Sequence, residues 1–244
     1  MENNKAKIFN LLFLDESGSM DGVREQTISG FNEILQSMQS LEKDFQGQSQ
    51  FVSMYTFNNQ DVKTIHDLAA VTAIKPINND NYCPDGSTPL LDALGKGISQ
   101  LEKQIETVAN VEGKVFKYQV LVTIMTDGYE NSSRFYKLAD IRAMIDRLEK
   151  GNWTFTYIGA DHDVLRQSSD FGIKNSFNFS KDSEGMDLML KMEKKSRMNF
   201  NRIVFDSEAK PTANFFEEAD PSTGEEGGKD SDDAKSLFSR LFGK

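Results

Sequence analysis

Five oxygen-bearing side chains, spread over three stretches of the chain, have the types and spacing to hold a hard metal ion. Asp15-Glu16-Ser17-Gly18-Ser19 places one carboxylate and two hydroxyls at alternating positions. Alternate residues of an extended loop share a face, so these three oxygens can turn toward one ion, and Gly18 relaxes the backbone between them. Thr88, in Pro84-Asp85-Gly86-Ser87-Thr88-Pro89, adds a hydroxyl, and Asp127, in Thr126-Asp127-Gly128, adds a second carboxylate. Oxygen-only ligation with two carboxylates suits magnesium (Mg2+), with manganese (Mn2+) or calcium (Ca2+) as substitutes. Neutral hydroxyls leave such an ion electrophilic, and an open coordination position favours an Asp or Glu carboxylate from a partner protein. That is recognition without any bond being broken.

These residues must be brought together by the elements around them. Ile8 to Leu14 is a short, nearly continuous apolar run interrupted by Asn10, as expected of a central strand buried on both sides. Gly22 to Leu41 follows with helical spacing, Phe51 to Phe57 is a second strand, and Val62 to Val71 is a third, antiparallel to it across the Asn58-Asn59-Gln60-Asp61 turn. Pro89 opens a helix carrying Leu90, Leu94, Ile98, Leu101 and Ile105. Tyr118 to Met125 is a strand, Leu138 to Leu148 a helix and Trp153 to Ile158 a strand of alternating character. Val164 to Phe171, Ser176 to Phe179 and Met186 to Met198 continue the alternation. The pattern predicts a doubly wound α/β domain with a mostly parallel six-stranded sheet, Rossmann-like, helices on both faces and one antiparallel edge strand. The strand order becomes 3-2-1-4-5-6, with its reversal between strands one and four. Ligands bind at the carboxyl ends of strands at such a reversal, and Asp15 and Asp127 both lie there.

Asp-x-Ser-x-Ser after a first strand, Thr in a later loop and Asp after the fourth strand resemble the von Willebrand factor A (VWA) family over about residues 6 to 180. Gly86-Ser87-Thr88-Pro89-Leu90-Leu91-Asp92-Ala93 and Thr126-Asp127-Gly128-Tyr129-Glu130-Asn131-Ser132-Ser133 are further similar to its bacterial cytoplasmic members. The resemblance implies a domain that binds protein ligands through a metal-ion-dependent adhesion site (MIDAS). It makes Ser17, Ser19 and Thr88 direct ligands, and lets Asp15 and Asp127 act partly through water. A non-enzymatic scaffold or adaptor is then the expected function. Two rival readings come from other classes. A magnesium-dependent phosphotransferase or phosphatase also carries an Asp after its first strand, but with a second Asp two residues on, where this chain has Ser17. The other is an assembly protein acting mainly through its tail. Singly, Asp15, Ser17, Ser19 and Thr88 also suit plain helix capping.

Composition narrows the partners. With 28 Lys and Arg against 38 Asp and Glu, the net charge of -10 opposes approach to nucleic acid or anionic lipid. A single cysteine, Cys83, excludes an internal disulfide and suits a reducing compartment, so a cytoplasmic protein is expected. One cysteine and two histidines are also too few for an ordinary zinc site. The run Ile8 to Leu14 is too short for a membrane span, so no stable membrane insertion is expected. Cys83 is expected to be partly buried and inert, with no cationic neighbour. Asp161-His162-Asp163 is expected to be a solvated helix start rather than a general-base site, and the methionines from Met186 to Met198 core packing.

Residues 1–204 are assigned to the domain and 205–233 to an acidic disordered linker, with Glu217, Glu218, Glu225, Glu226, Asp230, Asp232 and Asp233. Residues 234–244 differ: Leu237, Phe238, Leu241 and Phe242 make an apolar stripe on a short amphipathic helix, a docking element for a second partner or for the domain itself.

Overall fold

Strands that are apolar on both sides need cover on both faces, and the chain supplies it by sending helices alternately to either side of one sheet. The structure, a computed structural model, describes residues 6–112, 116–160, 164–206 and 215–216. The strands are β1 (Ala6–Asp15), β2 (Gln48–Phe57), β3 (Val62–Ala70), β4 (Tyr118–Thr126), β5 (Trp153–Gly159) and β6 (Asn175–Asn178). The helices are α1 (Arg24–Asp44), α2 (Leu90–Glu112), α3 (Leu138–Leu148), α4 (Val164–Asp170) and α5 (Ser183–Asp206). The sheet order is β3-β2-β1-β4-β5-β6, with β3 antiparallel to β2 and every other pair parallel. This is the doubly wound arrangement that the alternation of patterns predicts. The first helix starts differently from its sequence pattern, since Gly18–Val23 is a 3-10 turn ahead of α1.

Alternation along each strand divides the core in two. Phe9, Leu11 and Phe13 of β1, with Val120, Val122 and Ile124 of β4, pack under α2 and α3. Leu12 and Leu14, with Val52, Met54 and Met125, pack under α1 and the start of α5. The alternating β5 sequence is buried on both faces, because its threonine side lies under cover too. There Thr156 donates from Oγ1 to the Val122 carbonyl at 2.9 Å.

That second face carries a polar seam. Arg197 of α5 has 0% exposure, and each of its guanidinium nitrogens is matched: Nε donates to Glu193 Oε1 at 2.6 Å, one terminal nitrogen to Asn10 Oδ1 at 2.6 Å, and the other to Thr123 Oγ1 at 3.0 Å. Asn10 donates in turn to Gln50 Oε1 at 3.0 Å, Gln50 to Asn201 Oδ1 at 2.5 Å, and Asn201 to the Arg197 carbonyl at 2.8 Å. Asn10 thus interrupts its apolar run because α5 is fastened there.

β3 departs from a regular edge. Its pairing with β2 shifts register on both sides of Met54, and Leu68 adopts φ 47, the left-handed region that a branched side chain rarely enters. The Leu68 N–H donates to Ser53 Oγ at 3.1 Å, outside the regular ladder. On the far side, contacts extend past residue 204: Phe215 packs against Phe200 and Phe216 against Phe177. Residues 207–214 and 217–244, which hold most of the expected linker and all of the expected terminal helix, lie outside the described residues.

Removing one member of a buried ion pair strands the other. Arg197→Ala is therefore expected to lower unfolding free energy by about 3–5 kcal/mol, measured by urea titration, while the paired replacement Arg197→Met with Glu193→Leu recovers most of that loss. Equal destabilisation by both variants would show that packing volume, not charge pairing, holds α5.

Candidate metal centre

Strand register brings the two acids together. β1 and β4 are neighbours with Leu14 opposite Met125, so Asp15 and Thr126 end their strands side by side, and Asp127 follows at once. Asp15 is buried, with 0% exposure. Its Oδ1 accepts the Ser17 N–H at 2.7 Å and its Oδ2 the Thr126 hydroxyl at 2.6 Å. The Ser17 and Ser19 hydroxyls are 3.1 Å apart, and Ser19 donates to Asp127 Oδ1 at 2.6 Å. Thr88 joins from the start of α2. A β-carbon built on Gly128 would lie 3.0 Å from Thr88 Oγ1 and 3.5 Å from both Asp15 Oδ2 and Ser19 Oγ. The structure therefore brings all five sequence-predicted oxygens into one cluster, and Gly128 lies so close against it that a side chain there would crowd Thr88.

The donor set fits a hard cation. Ser17 sits at the N-cap of the 3-10 turn but its side chain makes no capping hydrogen bond, so capping does not account for it. Among the described residues no three His, Cys, Asp or Glu gather at metal-binding separation, as expected where three of five donors are hydroxyls. A buried Asp127 Oδ2 lacks a well-directed hydrogen-bond donor among the described residues, and its charge faces the Lys181 ammonium at 3.0 Å.

Several positioning residues escaped the sequence reading. Tyr82 donates its hydroxyl to the Asp15 carbonyl at 2.8 Å. Glu16, also buried, accepts the Cys83 N–H at 2.7 Å and the Lys63 ammonium at 3.0 Å, tying the loop after β3 to the cluster. Gly86, at φ 72, accepts the Gly18 N–H at 3.0 Å, and a side chain there would strike the Asn59 amide. Asn131 and Thr88 exchange hydrogen bonds of 2.8 and 3.2 Å. Asp92 accepts the N–H groups of Arg134, Phe135 and Tyr136 at 2.7, 2.9 and 2.9 Å, and Glu130 those of Leu91, Ser132 and Ser133 at 2.9, 2.9 and 2.7 Å. This clamps the loop after Asp127 while leaving Tyr129 53% and Phe135 84% exposed. For Glu16 and Glu130 the signal in the sequence is a carboxylate beside Ser or Asn, whereas Asp92 stands in the first turn of α2.

Cys83 corrects an expectation. It is exposed, not partly buried, and the Arg24 guanidinium lies 3.8 Å from its sulfur, so a cationic neighbour is present. The loop turns outward because Glu16 holds its backbone from the inside. Asp161-His162-Asp163 and the stripe Leu237, Phe238, Leu241 and Phe242 lie outside the described residues. Met186 and Met189 are core, whereas Met198 is 38% exposed.

The fold has counterparts among solved structures. It is similar to a von Willebrand factor type A structure from Catenulispora acidiphila, with a TM-score of 0.50 and 14% identity over 79% of this chain and 43% of that one. It is likewise similar to the pilus adhesin SpaC from Lactobacillus rhamnosus GG in its open conformation, with a TM-score of 0.53 and 13% identity over 80% of this chain and 30% of that one. The chain spans less than half the length of either. No protein-family model and no curated protein matches the sequence. The fold is that of a von Willebrand factor A domain. Among the described residues, no helix is long and apolar enough to cross a membrane.

Burial pushes the Asp15 carboxyl up from 3.8 to about 6, against the hydrogen bonds from Thr126 and Ser17 that favour its charged form; the Asp127 charge adds to the rise. A raised folded-state value means that the group's contribution to stability is complete below pH 3.8 and is lost as pH climbs through about 6. In EDTA, Asp15→Asn is therefore expected to be more stable than the parent near neutral pH by on the order of 1–3 kcal/mol. The advantage closes as the pH is lowered toward 4, measured by denaturant titration at each pH. A variant less stable at neutral pH would show that the carboxylate is already compensated.

Proposed function

We propose that the chain is a non-enzymatic, metal-dependent protein-binding module, a cytoplasmic scaffold or adaptor whose MIDAS holds Mg2+. The observation that supports it is the convergence of Asp15, Ser17, Ser19, Thr88 and Asp127 into one cluster beside Gly128. Asp15 and Asp127 supply charge, the three hydroxyls supply neutral oxygens, and the ion would take up a partner's Asp or Glu. Tyr129 and Phe135, exposed on a clamped loop beside the cluster, offer apolar contact of the kind that dominates protein interfaces. One structural neighbour is described as a pilus adhesin.

The residues argue against the phosphotransferase alternative. Two positions after Asp15 stands Ser17, whose N–H is spent on the Asp15 carboxylate, so the second acid of that chemistry is missing. Catalysis of phosphoryl transfer also needs a group that positions or deprotonates the nucleophile, and the carboxylates beside Asp15 are already engaged, Asp127 by Ser19 and Lys181 and Glu16 by the Cys83 N–H and Lys63. The single, exposed Cys83 is compatible with a reducing compartment.

Isothermal titration should show one Mg2+ per chain, abolished by Asp15→Ala with the circular dichroism spectrum retained. Assays with a generic phosphate ester and with ATP in magnesium should remain at background. Normal metal binding by Asp15→Ala would remove the site assignment, and turnover lost on Asp15→Asn would establish the enzyme instead.

A further inference from the structure

The outer face of α5 carries a second surface, unrelated to the metal centre. Leu188, Lys191, Lys195, Met198, Arg202 and Phe205 are all exposed. Their spacing alternates between three and four residues, which is one stripe along a helix. At 1.5 Å per residue the stripe is about 25 Å long. Leu188, Met198 and Phe205 keep 40%, 38% and 50% of their surface in solvent. Among the described residues, Lys191, Lys195 and Arg202 form no ion pair with a carboxylate. The helix cannot roll to cover the stripe, because Arg197, Glu193 and Asn201 on its opposite side are fastened to the sheet.

We propose that this stripe seats the chain's own C-terminal segment, residues 217–244. Its acids Glu225, Glu226, Asp230, Asp232 and Asp233 face Lys191, Lys195 and Arg202, and Leu237, Phe238, Leu241 and Phe242 cover Leu188 and Met198. Charge complementarity selects this occupant: in a chain of net charge -10 half of the stripe is cationic, through Lys191, Lys195 and Arg202, and the segment is acidic before its apolar residues. Geometry allows it. Phe215 packs with Phe200 and Val204 on the inner side of α5, so the segment begins beside the stripe's C-terminal end. The chain from Phe216 to Leu237 has a root-mean-square span of roughly 25 Å as a flexible coil, comparable with the stripe itself. Tethering also gives the segment an effective concentration of order millimolar, so a weak surface suffices in cis where a separate molecule at lower concentration competes poorly. The attraction between exposed charges weakens with salt.

The test uses the full chain with Cys83→Ser and Ser239→Cys, the new thiol carrying a nitroxide. The expected result is loss of the Leu188 amide and Met198 methyl NMR signals at low salt, their return when the nitroxide is reduced, and their persistence in the same chain with Lys191→Glu, Lys195→Glu and Arg202→Glu. Unchanged amide signals from β1 and β4 verify that the triple variant is folded. Signals that stay intact in the parent, or that are lost even after charge reversal, overturn the proposal. Loss of signal on unlabelled-thiol, isotope-labelled chains mixed with nitroxide-bearing ones overturns it in favour of a second copy as occupant.

Discussion

A guanidinium cut off from water must find a partner for its donors within the protein or raise the cost of folding by several kcal/mol. Arg197 meets that condition through Glu193, Asn10 and Thr123, and much else follows from it. Asn10 and Thr123 belong to the two strands whose far ends carry Asp15 and Asp127. The seam thus spans the same strand pair that builds the cluster, and sliding one strand past the other would unmatch charge at one end and scatter the oxygens at the other. Fixing the inner side of α5 also dictates which of its residues must face solvent.

The topology was legible because it rests on patterns that repeat. Buried parallel strands are apolar throughout, helices return every three or four residues, and the turn at Asn58 to Asp61 separates β2 from β3. The grouping of the five oxygens was legible because four of them stand just past the carboxyl ends of neighbouring strands β1 and β4 or at the end of β1, while Thr88 precedes α2. What the sequence hid was polarity serving packing. Asn10 read only as a flaw in an apolar run, since its meaning depends on Arg197, far away in the chain. The N–H groups that Glu16, Glu130 and Asp92 collect could not be read ahead, because a carboxylate that gathers backbone N–H groups has no fixed spacing from them. Cys83 was misjudged for the same reason: Arg24 approaches it through the fold, not through sequence proximity.

On the proposed reading, the cluster is a problem in charge balance. Two carboxylates against the Lys181 ammonium leave one negative charge in a buried setting. A divalent ion would turn that into one positive charge, and an incoming carboxylate would bring the total to neutrality. Burial, which makes each uncompensated charge costly, is then what makes ion and partner depend on one another. A scatter of solvated acids with the same formula would bind both weakly and separately.

The irregular β3 edge bears on how copies of this protein meet one another. An even row of unpaired amides invites the sheet of a neighbouring molecule to extend it, strand upon strand. Here the register shifts around Met54, and the left-handed turn at Leu68 throws the row out of step. A would-be neighbour meets donors and acceptors at the wrong intervals. Strand addition is therefore disfavoured along that margin of the sheet.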